Sequence, residues 1–120
     1  MENKEVKIVG VTFNNDIADG GENRQVILRE LRTSGRRIID LDLIYTDYEG
    51  EPAIKVRERS TKKIVGWIPK TRVAEIMQNK IKHTVGFIST FDEKIECLKI
   101  MKPQYPTNVE YHRMKVMCLK

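Results

Sequence analysis

The sequence predicts one mainly β domain with two helices, arranged as a small closed or half-closed barrel. The chain has 120 residues, which is the size of one ordinary domain. Its apolar residues follow a period of two in six segments and a helical period in two others, which gives the order β-α-β-β-β-α-β-β. A barrel would also protect the sheet edges that so short a chain otherwise leaves open.

The elements of the first half follow from local signals. Residues 6–13 alternate and predict a strand buried on much of both faces, and the polar residues 14–22 predict a mobile loop. Asn23 is the expected N-cap of a helix that ends at residues 34–35. Residues 37–45 and 53–59 then predict two strands on either side of an acidic turn at 48–52. The predicted buried stripe of the first helix is Val26, Ile27, Leu28 and Leu31.

The second half begins with a hairpin connection at 60–63 and a strand at 64–68, after which Pro69 opens the second helix. Residues 84–91 and 94–101 predict two more strands. We therefore expect residues 1–102 to form the barrel domain and 103–120 to form a C-terminal extension. Residues 108–120 fit either a last strand packing on the barrel or a short helical turn. The predicted stripe of the second helix is Val73, Ala74, Ile76 and Met77.

Charge is distributed unevenly along the chain. The net charge is +5, from 22 Lys and Arg against 17 Asp and Glu. Residues 55–82 hold nine bases and two acids, whereas residues 40–52 hold five acids and no base. This pattern indicates a polarised surface and a polyanionic partner such as nucleic acid. The solvated face of an ordinary soluble protein is an equally good interpretation of the charge alone.

The composition excludes three classes of protein: membrane proteins, small secreted proteins held by disulfides, and multidomain enzymes. No apolar run approaches the length of a membrane span, and residues 1–7 lack the apolar stretch of a signal peptide. Two cysteines, Cys97 and Cys118, do not make a disulfide framework. We therefore expect a cytoplasmic protein with no membrane association.

Catalytic signals are weak. The two histidines, His83 and His112, lie in no recognisable nucleophile or metal motif. Asp40 and Asp42 point the same way from a predicted strand, so a metal-dependent nuclease is a remote alternative. The sequence predicts no enzyme activity, no cofactor and no metal site.

Binding of a single nucleic-acid strand needs cations for phosphates and flat side chains for bases. Residues 55–82 supply the cations, and the candidate stacking surfaces are Phe13, Tyr45, Tyr48 and Trp67. Trp67 lies where a strand gives way to a helix, a position that suits either a core plug or a half-exposed stacking surface.

Three segments, taken in order, resemble a known module. They are residues 8–13 (IVGVTF) with 23–25 (NRQ), residues 52–56 (PAIKV), and residues 65–70 (VGWIPK). Together they span most of residues 6–101 and are similar to the HIRAN domain. This domain occurs at the N-terminus of certain DNA-repair helicases and as a separate protein in bacteria and phages.

The resemblance implies an OB-like β-barrel with two helices that binds DNA. In helicase-linked members the domain grips the 3′-hydroxyl end of a single strand. The aromatic residue of that pocket corresponds to Phe13, while Thr12 stands where the family has a basic residue. Trp67 stands where some members have histidine, and the lysine at the start of the second helix is retained as Lys70.

The family aspartate that receives the terminal hydroxyl corresponds to Gly50 in this chain. A slip of one residue brings Tyr48 and Glu49 into the tyrosine and aspartate roles of the family turn. Such a carboxylate would accept a hydrogen bond from a 3′-hydroxyl and repel a 3′-phosphate.

We therefore expect a non-catalytic module that binds single-stranded DNA or its 3′ end. Phe13 and Trp67 are the expected stacking residues, Lys55, Lys70 and Arg72 the expected phosphate contacts, and Tyr48 and Glu49 the expected end-recognition turn. Arg24 and Gln25 open the first helix and could reach a second phosphate. One alternative is a protein-interaction module that docks a helicase or another DNA-processing protein, and a second is an RNA-binding domain. The predicted nucleic-acid-binding residues are Phe13, Arg24, Tyr48, Glu49, Lys55, Trp67, Lys70 and Arg72.

Overall fold

The computed structural model describes residues 5–92 and 94–100. In chain order the elements are β1 (Val6–Lys7), α1 (Arg24–Thr33), β2 (Ile38–Tyr48), β3 (Glu51–Glu58), β4 (Lys63–Trp67), α2 (Lys70–Gln78), β5 (His83–Phe91) and β6 (Ile95–Ile100). A short 3-10 turn, Ile17–Asp19, lies between β1 and α1. The predicted order of two helices and six strands is therefore confirmed. The proposed extension, residues 103–120, lies outside the described residues, as do Met101, His112 and Cys118.

The six strands form one antiparallel sheet in the order β1-β6-β5-β2-β3-β4. The long strand β2 pairs with β5 through its first half and with β3 through most of its length. Its inward side chains Ile39, Leu41 and Leu43 are buried, as the period-two pattern predicts. They pack with α1 and with residues from the other strands into one apolar core.

The sheet is not closed by a continuous ladder of hydrogen bonds, so the predicted barrel is not confirmed. The two sheet edges nevertheless meet at one point. The Ile8 amide donates to the Leu98 carbonyl of β6, and Val9 exchanges two hydrogen bonds of 2.9 Å with Trp67 of β4. The chain just after β1 thus contacts β6, the neighbour of β1, and β4, the strand at the opposite edge of the sheet.

The first strand is shorter than predicted. It ends at Lys7, and Gly10 adopts φ +72°, a left-handed conformation that interrupts extended backbone. A turn follows in which the Phe13 amide donates to the Gly10 carbonyl. Phe13 therefore lies in a turn beyond the strand instead of at its end.

The loop after this turn is anchored to the sheet at several points. Asn15 is buried, and its amide side chain donates to the Ile64 carbonyl of β4. Asp19 and Glu22 form ion pairs with Lys55 and Lys63 at 2.8 and 2.9 Å. The polar composition of residues 14–22, which predicts a mobile loop, gives no sign of these long-range contacts.

Both helices begin as predicted. The Asn23 side chain accepts hydrogen bonds from the amides of Gln25 and Val26, so Asn23 is the N-cap of α1. Pro69 precedes α2, where its missing amide costs no helical hydrogen bond. The predicted stripes were wrong at Val26 and Ala74, which are exposed. The helical period places Val26 on the side of α1 away from the buried Ile27, Leu28 and Leu31, and places Ala74 beside the buried face of α2.

The β2–β3 connection is a two-residue turn. Its residues Glu49 and Gly50 have φ of +52° and +83°, and Tyr48 pairs with Glu51 across the strands. Positive φ at both central residues is typical of the type I′ turn, whose twist matches that of the flanking strands. This turn projects Tyr48 and Glu49 at one end of the sheet.

Within the part of the chain that the structure describes, neither helix is long and apolar enough to cross a bilayer. Cys97 is a half-buried free thiol on β6.

Candidate functional site

A groove of about 590 Å³ opens where three connections meet: the turn after β1, the β2–β3 turn, and the β4–α2 junction. Six of the eight sequence-predicted site residues line it, although they come from four separate parts of the chain. They are Phe13, Arg24, Tyr48, Glu49, Trp67 and Lys70.

Aromatic rings form much of the groove wall. Phe13 and Tyr48 are exposed over 67% and 60% of their surface, whereas Trp67 is half-buried. The rings of Tyr48 and Trp67 meet edge to face, with centroids 5.7 Å apart and planes at 63°. Trp67 is therefore neither a buried core plug nor a free ring, because one side packs while the other faces the groove. The remaining candidate, Tyr45, donates its hydroxyl to the Ile81 carbonyl and lies outside this wall.

Lys70 is the cation at the rim of the groove. It is the first residue of α2, a helix whose N-terminus receives no hydrogen bond from a capping side chain at Pro69. Its ammonium lies 2.7 Å from a carboxylate oxygen of Glu51, and both side chains are well exposed. The hydrogen bond and charge of Glu51, with a smaller effect from Glu49, raise the pKa of Lys70 above its ordinary value. The cation is thus already paired, with the N-terminal amides of α2 beside it.

Glu49 lies at the rim on the β2–β3 turn, next to Tyr48. Gly50, the other central residue of this turn, is not among the residues that line the groove. The turn therefore brings both Tyr48 and Glu49 to the groove, whereas Gly50 stays outside it.

Arg24 lines the groove, and hydrogen bonds to other parts of the chain hold its side chain in place. It is 6% exposed, and its guanidinium donates to the Asn15 side chain at 2.6 Å and to the Gly10 carbonyl at 2.8 Å. Burial lowers the pKa of Arg24, against the opposing charges of Asp16 and Asp19. These contacts fix the turn after β1 and make Arg24 part of the groove floor.

The side chain of Gln25 is engaged in hydrogen bonds outside the groove. Its side chain donates to the carbonyls of Val11 and Glu96 and accepts from the Glu96 amide. It therefore covers the edge of β6 in the same way that a neighbouring strand would. The start of α1 is also capped by Asn23, so this helix does not present the open N-terminus that the second phosphate contact would need.

Lys55 and Arg72 do not line the groove. Lys55 forms an ion pair with Asp19, and its ammonium lies 5.8 Å from the centre of the Trp67 ring on the adjacent strand. Arg72 pairs with Glu75 one turn along α2 and donates to the Glu5 carbonyl at 2.9 Å. Lys55 is therefore next to the aromatic wall, whereas Arg72 is directed toward the start of β1.

Three acids line the groove beside the two bases Arg24 and Lys70. They are Asp16, Glu49 and Glu51. The basic and acidic segments of the sequence pair with each other in part. The β2–β3 hairpin places Arg57 opposite Asp42, and Lys70 of α2 pairs with Glu51. Sequence reasoning missed Asp16 and Glu51 as groove residues, since only the folded arrangement of the two turns brings them there.

Asp42 illustrates this pairing on the outer face of the sheet. Its carboxylate lies about 3 Å from groups of Arg57, Arg59 and His83. Burial raises the pKa of Asp42, but hydrogen bonds from His83 and the two arginines outweigh it, so the pKa is lowered. Asp42 is thus engaged by two arginines and His83. Among the described residues, no three His, Cys, Asp or Glu side chains are grouped as a metal site would require.

Comparisons with known proteins do not assign this arrangement to a family: no family model, no curated protein and no solved structure matches the chain.

Proposed function

We propose that this chain is a HIRAN-type module that binds single-stranded DNA, preferentially at a free 3′ end, without catalysis. The observation that carries the proposal is the groove itself, in which Phe13, Tyr48 and Trp67 lie beside Lys70 at the start of a helix. Exposed rings next to a cation and helix amides are the combination that single-strand binding uses.

The proposed fold is an OB-like barrel closed by the chain segment after β1. Ile8 and Val9 support it, because Ile8 continues the pairing of β1 with β6 while Val9 bonds to β4, the strand at the opposite edge of the sheet. In such a barrel the groove lies at the closure point, since Val9 and Trp67 belong both to the bridge and to the groove wall.

The geometry of the groove supports one binding mode for such a strand. A terminal base stacks on Trp67 or Phe13, and a phosphate reaches Lys70 by displacing Glu51 from its ion pair. Glu49 accepts a hydrogen bond from the 3′-hydroxyl. A 3′-phosphate would instead place negative charge beside Glu49, Glu51 and Asp16, and like charges repel strongly where solvent is partly excluded.

The test is fluorescence anisotropy with a short oligonucleotide labelled at its 5′ end. It compares a free 3′-hydroxyl, a 3′-phosphate and a blunt duplex at two salt concentrations. We expect the hydroxyl end to bind about ten-fold more tightly than the phosphate, the difference made by one hydrogen bond to a charged group. Glu49→Gln should reduce that preference, while Lys94→Gln, which lies beyond β5 and does not line the groove, should not. Equal binding of all three ends would refute end recognition.

A protein-docking function is the second candidate. It is favoured by apolar side chains at the tip of the loop beside the groove, where Ile17 is 95% exposed and Phe13 67%. A helicase or another DNA-processing protein that docks there would leave DNA binding weak, salt-sensitive and indifferent to the end. An RNA oligonucleotide of the same sequence, added as a competitor, distinguishes the RNA-binding alternative in the same assay.

A further inference from the structure

Glu51 lies next to the aromatic wall of the groove. It pairs with Tyr48 across the two-residue turn. Residues directly opposite each other on antiparallel strands place their side chains on the same face, with Cβ atoms about 4.5–5.5 Å apart. Both residues line the groove, and the Tyr48 and Trp67 rings meet with centroids 5.7 Å apart. A base that stacks on these rings therefore presents an edge toward the Glu51 carboxylate.

The charged groups of the groove leave acceptors rather than donors for a ligand. Three carboxylates line it, and an ionised carboxylate accepts hydrogen bonds but donates none. The two charged donors are already engaged, because Arg24 is held by internal hydrogen bonds and Lys70 donates to Glu51. A base edge that carries N–H groups thus matches these charged groups better than an edge that carries carbonyl oxygens.

The ion pair between Lys70 and Glu51 links phosphate binding to this acceptor. The Lys70 ammonium lies 2.7 Å from Glu51 Oε2, and both side chains are well exposed. In the proposed binding mode a phosphate takes over Lys70, which leaves the Glu51 carboxylate without that donor. A polar group that loses its partner where water is partly excluded is costly unless a new partner replaces it. The neighbouring base supplies this partner when its edge carries N–H groups.

The four bases differ in the donors that their Watson–Crick edges offer. Guanine carries an imino N–H and an amino group side by side, and these match the two oxygens of one carboxylate. Cytosine and adenine each carry one amino group next to a ring nitrogen that accepts. Thymine carries a single N–H between two carbonyl oxygens, which repel a carboxylate. The expected order is therefore guanine first, adenine and cytosine next, and thymine last.

We propose that Glu51 determines base specificity in the groove, and that it selects guanine as the 3′-terminal base of the single strand. The inference rests on the proposed function, because it needs a strand end in the groove. Glu51 then contacts the base edge, Glu49 the 3′-hydroxyl and Lys70 the phosphate, so the three charged side chains serve three different groups of the ligand.

The experiment varies only the last nucleotide of a hexanucleotide that has five thymidines before it. The strands end in guanine, hypoxanthine, adenine, cytosine or thymine, carry a label at the 5′ end, and are titrated with the full chain by fluorescence anisotropy. We expect the guanine end to bind about ten-fold more tightly than the thymine end. Hypoxanthine is guanine without the amino group, so its end should bind about three-fold less tightly than the guanine end.

Glu51→Gln tests the assignment to this residue. It exchanges the carboxylate for an amide, which both donates and accepts. The preference for guanine over thymine should fall to about two-fold, and the adenine end should gain on guanine, because an amide matches a paired donor and acceptor of adenine. The variant also frees Lys70, which strengthens all ends alike and leaves the ratios unaffected. Glu75→Gln is the matched control, because Glu75 also pairs with a cation of α2 and does not line the groove.

The outcomes separate this inference from the proposed function. Equal binding of the guanine and thymine ends, with the 3′-hydroxyl still preferred to the 3′-phosphate, would overturn the base specificity and leave the proposed function in place. A guanine preference that Glu51→Gln does not reduce would overturn the assignment to Glu51 in the same way. Failure of every strand to bind would overturn the proposed function together with this inference.

Discussion

Gly66→Ala tests whether the close contact of residues 8–9, which follow β1, with strand β4 holds the groove together. Gly66 is buried on β4, and a Cβ atom built there would lie 2.5 Å from Ile8 Cγ2 and 2.8 Å from the Val9 carbonyl oxygen. Both distances are too short for real carbon contacts, and the second involves backbone that has no rotamer to change. The substitution must therefore push residues 8–9 away from β4.

The expected loss of stability follows from the contacts between residues 8–9 and β4. The two Val9–Trp67 hydrogen bonds, each 2.9 Å, contribute about 0.5–1.5 kcal/mol apiece. Overpacking against Ile8 adds about 1–3 kcal/mol. The lower flexibility of the unfolded alanine chain offsets about 0.4–1 kcal/mol of this. We expect Gly66→Ala to lower the free energy of unfolding by about 2–4 kcal/mol, and the Tm by roughly 8–16 °C.

Urea denaturation and Trp67 fluorescence provide the measurements. Trp67 is the single tryptophan of the chain, so its emission reports directly on the bridge and the groove wall. Gly21→Ala is the control, because Gly21 has φ +72° and no atom within 4 Å of the added Cβ. It should cost only the left-handed strain of about 1 kcal/mol, with unchanged emission. If Gly66→Ala unfolds like the wild type and leaves Trp67 emission unaltered, the contact of residues 8–9 with β4 is not the tight contact argued here.

Two further predictions concern the stability of the fold. Asn23→Ala removes the acceptor for the amides of Gln25 and Val26, so the free energy of unfolding in urea should fall by about 1 kcal/mol; an unchanged value would mean that the cap contributes nothing. Glu58→Gln replaces a fully buried carboxylate that accepts hydrogen bonds from Ser60 and Thr61, and should cost about 2–4 kcal/mol at pH 7. Burial raises the pKa of Glu58, but those hydrogen bonds outweigh burial and lower the pKa overall. The stability that the carboxylate contributes is therefore fully present above the ordinary pKa of 4.5 and is lost as the pH falls through the lowered pKa. The difference between wild type and Glu58→Gln should therefore narrow in acid, and a difference that stays constant down to pH 2–3 would contradict this account.

The element order was predictable because strand and helix periods are local. The alternation of Ile39, Leu41 and Leu43 and the cap at Asn23 require no knowledge of the rest of the chain. The end of β1 was harder to predict from the sequence. Gly10 adopts a left-handed conformation that the sequence permits but does not demand, and β1 ends before it, at Lys7.

Long-range pairing limited the prediction of the site. Arg24 has the position of a phosphate ligand in the sequence, yet Asn15 and Gly10 bury it through contacts nine and fourteen residues away. The two turns that meet at the groove are also far apart in the chain. Local pattern predicts that Phe13, Tyr48 and Trp67 are aromatic residues near element ends. Only the bridge between Val9 and Trp67, together with the short β2–β3 turn, brings them to one groove.

The ion pairs of the structure also determine which interaction should dominate DNA binding. Lys70 is already paired with Glu51, and Lys55 with Asp19, so a phosphate that binds either lysine replaces one surface ion pair with another. Such an exchange contributes about 1 kcal/mol or less. A base that stacks on an exposed ring contributes about 1–3 kcal/mol, and the groove offers three rings.

Phe13→Ala should therefore weaken the binding of a short oligonucleotide more than Lys70→Gln does, although the chain carries a net charge of +5. Lys70→Gln should flatten the salt dependence by about 0.7, the share of one phosphate on a single strand. Fluorescence anisotropy at several salt concentrations measures both effects, with circular dichroism to verify that each variant is folded. If Lys70→Gln costs more than Phe13→Ala at physiological salt, phosphate attraction governs the groove, and the aromatic wall is a consequence of packing rather than a surface for bases.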